Sequence, residues 1–412
     1  MLAMVFPTLL IRLSRVVGLC NLRFVAESGR FQRQQGPMLI YCIALHLIYV
    51  LFMSCGFLVL VSMFFNCQGI NMLAVAYSVV AVSKVLSILL LICGIWLLRD
   101  RWLQLVNGFL ALQQLYRSDL IPSSLSQWLR HARKTLMCFS KILSTIYWIF
   151  GPNNYLMCSI DDQSETRIYL IYIGITIVAV PLEMFFSGID YWIYHLTSVS
   201  NWLIDCLTLE AQELKQDVGR MPQRHGCHRN VHQQQLLGSW KQLWRRCLRL
   251  HKVYYEMIAI FQWQMLLNIL TNYLSDITSI FHILIYWNEP QVLNRWYFTA
   301  YWIICILFHL DIMSFFAIFD AHRLKWEHLQ QQVHELWLSL DAMENVYCVA
   351  LYRQIEFSII LVNRRLQRCP KRVRRLHIAG LFDINRRSEY CMSTSIAMNV
   401  LILWQIAYKY YY

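Results

Sequence analysis

The fold class this sequence predicts is an all-α polytopic membrane protein with seven transmembrane helices, and three observations predict it. The first is composition: 58% of the 412 residues are hydrophobic and 15% are charged, against about 25% charged in an ordinary soluble chain. The second is recurrence. Apolar stretches longer than about 18 residues, enough to cross hydrocarbon as a helix, occur at 38–65, 72–98, 135–160, 168–196, 258–287, 296–320 and 390–408. The third is where the positive charge falls. All but five of the 37 Lys and Arg residues lie before Met38 or in 99–134, 197–257 and 321–389, which are connections on one side of a seven-span layout. Basic residues collect on the cytoplasmic side. The N-terminus is therefore expected to be cytoplasmic and the C-terminus extracellular.

Taken in order, a cytoplasmic segment 1–37 ends at Gly36-Pro37, a sharp break before the first span. The first 20 residues lack the basic start and small-residue cleavage site of a signal peptide, so none is expected. His46 in span one reads as a hydrogen-bonded packing residue. Lys84 lies near the middle of span two, where a charge in lipid is costly, and Glu183 in span four is at a depth to partner it. Residues 99–134 mix apolar and basic positions and predict an amphipathic cytoplasmic helix pair broken at Pro122. Lys141 lies close to the inner end of span three and is expected to snorkel to the interface. Gly151-Pro152 and Pro181 interrupt spans three and four, and such breaks are tolerated where neighbouring helices or a cavity satisfy the freed backbone. A cavity bordered by the outer halves of those spans follows.

Between Gly238 and Pro290 there is neither Gly nor Pro across 51 residues, so a continuous helix would run roughly 77 Å against about 30 Å of hydrocarbon. Leu329, Val333, Leu336, Leu340, Met343, Tyr347 and Ala350 alternate spacings of four and three, the seam of a helical bundle. Spans four, five and six are thus expected to continue into a cytoplasmic anchor bundle. The seam suits a bundle within one chain and an assembly of subunits equally. The division that results is 1–37, a transmembrane region 38–320, an anchor and linker 321–389, and a last helix with a short tail 390–412.

The basic run from Arg364 to Arg375 is accounted for by solvent or by anionic lipid headgroups; membrane lipid, and no nucleic acid, is the expected partner there. No Gly-rich phosphate loop, G-x-S-x-G or H-E-x-x-H occurs, so the chain is not expected to be an enzyme, and neither a cofactor nor a metal is implied. Cys67 and Cys158 sit near outward ends, where one bridge is conceivable, and the other cysteines read as reduced thiols. The outward ends of spans three to six are rich in aromatic residues. Two accounts stand side by side: a belt at the lipid–water interface, or an apolar hollow with a few buried polar groups, as at a small-molecule site. The candidate ligand residues are Tyr147, Trp148, Asp276, His282, Tyr301 and Trp302. Asp311, deeper in span six, reads as a structural hydrogen-bonding residue.

The C-terminal stretch carries the most specific pattern. It opens Gly380-Leu381-Phe382-Asp383-Ile384-Asn385, and a lone amide, Gln405, sits 25 residues after the Gly inside an otherwise apolar run. This opening and the placed Gln resemble the C-terminal signature of the insect gustatory receptor family. That signature has Thr-Tyr, five hydrophobic residues and Gln-Phe in its last span; here the matching residues are Met398-Asn399, 400–404, and Gln405-Ile406. The resemblance implies a ligand-gated cation channel of the plasma membrane of chemosensory neurons, a homo- or heterotetramer whose last helices line a central pore. It places the gate at Gln405 and Ile406, and helical spacing sets Leu401 and Ile402 on a similar face. The expected ligand is a small organic tastant of bitter type, since the candidate pocket is aromatic with few acids. The alternatives are a seven-span receptor signalling through a G protein, a co-receptor subunit that conducts only beside related subunits, and a secondary transporter for which Lys84 and Glu183 are the best evidence.

Overall fold

Long helices that outrun a membrane dominate the architecture. A computed structural model of the chain describes residues 14–19, 22–25, 28–66, 72–116, 124–150, 165–220, 227–286, 295–341, 353, 356, 377–378 and 382–411. A short hairpin, β1 (Leu22–Val25) and β2 (Arg30–Arg33), precedes α1 (Pro37–Asn66), α2 (Met72–Leu97), α3 (Arg99–Leu115) and α4 (Ser124–Phe150). There follow α5 (Glu165–Gly219), α6 (Cys227–Tyr286), α7 (Arg295–Asp341), a second small hairpin of β3 (His377–Ile378) and β4 (Phe382–Asp383), and α8 (Arg386–Tyr411). The described part of each of the seven predicted spans falls on one of α1, α2 and α4 to α8. Among the described residues, four helices hold stretches long and apolar enough to cross a membrane by themselves, in α1, α2, α5 and α7. Helix α6 is less apolar because Gln264, Asn268, Asn272 and Asp276 interrupt its apolar run.

The predicted long helices are present. Helices α5, α6 and α7 have 55, 60 and 47 residues, and α6 alone is about 90 Å long. Helix α5 runs on through Pro181 without the expected interruption. The turn that the proline weakens precedes it and is exposed at Ile177, while the residues that follow, Leu182, Glu183, Phe185 and Phe186, are buried. Gly151-Pro152, Pro122, Cys67 and Cys158 lie outside the described residues.

Beyond the spans, α5, α6 and α7 stay together. Leu207, Ala211, Leu214 and Val218 of α5, Trp240, Leu243, Leu250 and Tyr254 of α6, and Leu329 and Leu336 of α7 are buried in one core. The described part of the predicted seam therefore closes within the chain, and its positions from Leu340 onward lie beyond the described side chains. Lys215 to Glu335 (2.9 Å), Arg246 to Glu210, and Lys325 to Asp205 join neighbouring helices around it. Helix α3 lies alongside and buries Trp102, Leu105, Val106, Phe109 and Leu112, a spacing that lines one face. The first hairpin is tied to it by Asn107, which accepts from the Phe31 N–H at 2.8 Å and donates to the Phe31 carbonyl at 3.0 Å.

The described residues ahead of β1, 14–19, pack against α1. Val17, Leu19 and Leu22 are buried, and the Gly18 carbonyl accepts from His46 Nε2 at 3.0 Å while Trp96 Nε1 donates to His46 Nδ1 at 2.9 Å. His46 is the hydrogen-bonded packing residue the sequence predicted. Gly18 has φ +79°, and a Cβ there would lie 3.2 Å from His46 and Leu45 side chains, so both conformation and space favour glycine.

Candidate functional site

Three regions hold the chemistry: the C-terminal helix, the seam between α6 and α7, and a charged spine through the middle of the bundle.

The G-L-F-D-I-N block launches α8. Phe382 and Asp383 form β4 and pair with β3, Ile384 is buried, and Asn385 caps the helix by accepting from the Ser388 N–H at 2.9 Å. Helix α8 then packs on α6 and, less extensively, on α7. Its inner face is apolar, with Ile396 and Val400 buried beside Ile277 of α6. Its other face is bare in the single chain: Leu401 is 50% and Ile402 47% exposed, and Gln405 is exposed as well, with Ile406 half-buried. Asn399 stands where the family signature has tyrosine, and it reaches a tyrosine of another helix. Its Nδ2 donates to the Tyr273 hydroxyl of α6 at 2.9 Å and to the Ser395 carbonyl at 2.8 Å, and the Tyr273 hydroxyl is 2.7 Å from Ser395 Oγ.

Four of the six predicted ligand residues meet along the seam of α6 and α7. Asp276 is buried and 2.6 Å from Nδ1 of His309 on α7. The rings of His282 and Tyr301 are 5.2 Å apart, and Tyr301 is buried with Ile283 and Cys305, against which Trp302 packs. They are assembled as interlocked side chains of two helices. The side chains of Tyr147 and Trp148 lie outside the described residues. The partner that the sequence argument missed here is His309.

The spine was only partly anticipated. Lys84 of α2 pairs with Glu183 of α5, as expected, and Glu183 Oε2 also accepts from Thr145 Oγ1 of α4 at 3.1 Å. Two corrections follow. Lys141 does not snorkel: it is 1% exposed, 3.2 Å from Asp190 and 2.8 Å from Asp311. Lys134, placed with the cytoplasmic set, is equally buried and donates to Asp311 at 2.5 Å. Burial of a charge is tolerated only with a partner, and here two lysines face two aspartates so that the group sums to zero. Asp311 is thus an ion-paired residue shared by two lysines, more than a hydrogen-bonding one. Asn268 of α6 extends the set, donating to Asp190 at 2.6 Å and accepting from Ser87 of α2 and Gln264 at 2.6 and 3.0 Å. A small cavity, with room for about one water, is lined by Asp190, Asn268, Asn272 and Asp311 with Ile269, Ile312 and Phe315.

A sequence signal for this spine existed. Lys134 and Lys141, and likewise Glu183 and Asp190, are seven residues apart, two turns along one helix face. Gln264, Asn268, Asn272 and Asp276 recur every four residues and draw a polar stripe down α6. Such a stripe inside an apolar helix must face protein.

Comparison with known proteins adds an independent line. A family model described as "7tm Chemosensory receptor" matches residues 8–410. The chain is similar to gustatory receptor 58c of Drosophila melanogaster, at 32% identity over 403 residues and 97% of each chain. Among solved structures it is similar to the insect olfactory receptor OR5 of Machilis hrabei in complex with eugenol, with a TM-score of 0.59, 12% identity and 97% of each chain covered. A second structure of that receptor matches with a TM-score of 0.54, 13% identity, and 97% and 98% of the two chains. At such identities the likeness is one of fold.

Proposed function

We propose, from the premise that this chain belongs to the 7tm chemosensory receptor family, that it is a gustatory receptor acting as a ligand-gated cation channel. The family is one of receptors and not of enzymes. The channel sits in the plasma membrane of chemosensory neurons, with the N-terminus inside and the C-terminus outside. Four related subunits surround a central pore, and α8 of each lines it.

The observation that carries this reading is the bare face of α8. A helix that packs on one side and exposes Leu401, Ile402 and an uncharged amide, Gln405, on the other is poorly suited to lipid, where a polar side chain is expensive. It is well suited to a seam shared by copies and wetted by a narrow water path. Gln405 and Ile406 then form the constriction, with the amide replacing part of an ion's hydration. A tastant of small organic type, in line with the eugenol bound by the OR5 relative, engages Asp276, His282, Tyr301 and Trp302 together with Tyr147 and Trp148. It opens the gate only by binding the state with splayed α8 helices more tightly than the closed one.

Voltage-clamp recording of Gln405→Ala and Ile406→Phe across a tastant panel tests this assignment. Altered ion permeability and rectification are expected, with surface expression unchanged. Wild-type permeation in both variants would remove these residues from the gate.

A further inference from the structure

We infer that the Tyr273 hydroxyl is a latch that holds α8 closed, a positioning residue that acts on the gate without lining it; this rests on the channel reading above. Among the described residues, α8 packs chiefly on α6 and α7, so a signal from the bundle must reach it through those two helices. Most of its contact with α6 is apolar, through Ile396, Val400, Leu403, Ile277, Ile280 and Leu284. Apolar contacts of this kind slide with little penalty, since lipid tails are as apolar as leucine. The hydrogen-bonded trio does not slide. Tyr273 Oη lies 2.7 Å from Ser395 Oγ and accepts from Asn399 Nδ2 at 2.9 Å, and Asn399 also donates to the Ser395 carbonyl one turn back. All three side chains are half-buried, so water replaces their bonds poorly once the helices part.

The position of Tyr273 on α6 gives the latch its input. Asp276, three residues on and so close to the same face, is bonded to His309 of α7 at 2.6 Å. One turn of α6 therefore grips α7 through a carboxylate and α8 through a phenol. A displacement of α6 against α7 moves both grips together. Splaying of α8 requires the phenol grip to break, so the trio counts in favour of the closed state alone.

The test is patch-clamp recording without ligand, paired with hydrogen exchange on the purified full-length protein. Tyr273→Phe and Asn399→Ala are each expected to raise the ligand-free open fraction about three- to tenfold, the worth of one such hydrogen bond. Unitary conductance should stay at the wild-type value, and the double variant should not exceed Tyr273→Phe, because that substitution already removes both bonds of the hydroxyl. Exchange in the 390–400 peptides should quicken by a similar factor while peptides of α5 stay unchanged. Wild-type open fraction and exchange in both variants, or fully additive effects, would overturn the latch. Should even the wild-type chain carry no current, the channel reading fails and exchange alone decides: faster exchange confined to α8 supports the latch, and unchanged exchange removes it. Ser395→Ala, which keeps the tyrosine in place, serves if Tyr273→Phe does not fold.

Discussion

The interior of the bundle and its C-terminal helix are held in opposite ways. In the interior, α2, α4, α5, α6 and α7 converge on Lys134, Lys141, Asp190, Asp311 and Asn268, whose polar atoms are buried and mutually satisfied. Removing Asp311 strands Lys134, and removing Lys141 takes the ion-pair partner from Asp190, so the helices are fixed relative to one another. Helix α8 is held by an apolar stripe on one face, one hydrogen-bonded trio, and at its start a cap and the ion pair of Arg386 with Asp320 of α7. Each of those contacts is individually small. The difference teaches where motion is affordable: the frame resists sliding, and the last helix does not. The gate proposed on α8 would need a rigid surround, and the ion pairs are placed to supply one.

Breaking the frame is the largest perturbation available. Asp311→Ala strands Lys134, whose described carboxylate partner is Asp311 and whose ammonium otherwise lies 5.3 Å from the Tyr194 ring. The loss is expected to be about 3–5 kcal/mol, the cost of orphaning a buried charge. Melting of the detergent-solubilised protein, followed by fluorescence-detected size exclusion, should show a large fall. The double variant Lys134→Met with Asp311→Leu should recover most of it, because an apolar pair of similar volume dispenses with the desolvation penalty. A double variant no better than Asp311→Ala would mean that Asp311 is needed for Lys141 alone.

Much of this contrast could be read from the sequence, and some of it could not. The spans and the overlong α5 to α7 were legible because each rests on a local pattern: apolar length, absence of Gly and Pro, or a seam of alternating spacings. The pairing of Lys84 with Glu183 was legible from depth alone. Lys134 and Lys141 were misplaced because depth along one helix does not reveal which way its face turns. Snorkelling is the cheapest solution for a lysine near an interface, and it loses only when a neighbouring helix offers acids. Those acids, Asp190 and Asp311, lie 49 and 177 residues away from their lysine partners in sequence. Asp276, His282, Tyr301 and Trp302 were singled out one by one, but the contact of His282 with Tyr301 and of Asp276 with His309 follows from helix packing, which no single stretch encodes.

The start of α8 offers a smaller break. Asn385→Ala deletes the acceptor for the Ser388 N–H, an expected loss of about 1 kcal/mol, while Asn385→Asp should retain nearly all of it. The effect belongs to the first turn. Hydrogen exchange there should quicken in the alanine variant, whereas amides of α5 keep wild-type protection. Equal loosening of α5 would show that the cap matters to the whole bundle and would erase the distinction drawn above.

The smallest expected effect comes from the ion pair at the same end. Arg386 is 77% exposed and lies 3.6 Å from Asp320 of α7, and Asp320 also accepts from Arg323 at 3.0 Å. Arg386→Gln therefore leaves the buried carboxylate partnered, unlike Asp311→Ala, which strands a lysine. A pair whose cation is in water contributes about 0.2–1 kcal/mol and is screened by salt. The melting temperature should move little in low salt and not at all near 1 M, where the Debye length is about 3 Å. A salt-independent fall of the size seen for Asp311→Ala would place Arg386 in the frame, and the boundary between the fixed bundle and the movable helix would then lie one turn further along α8.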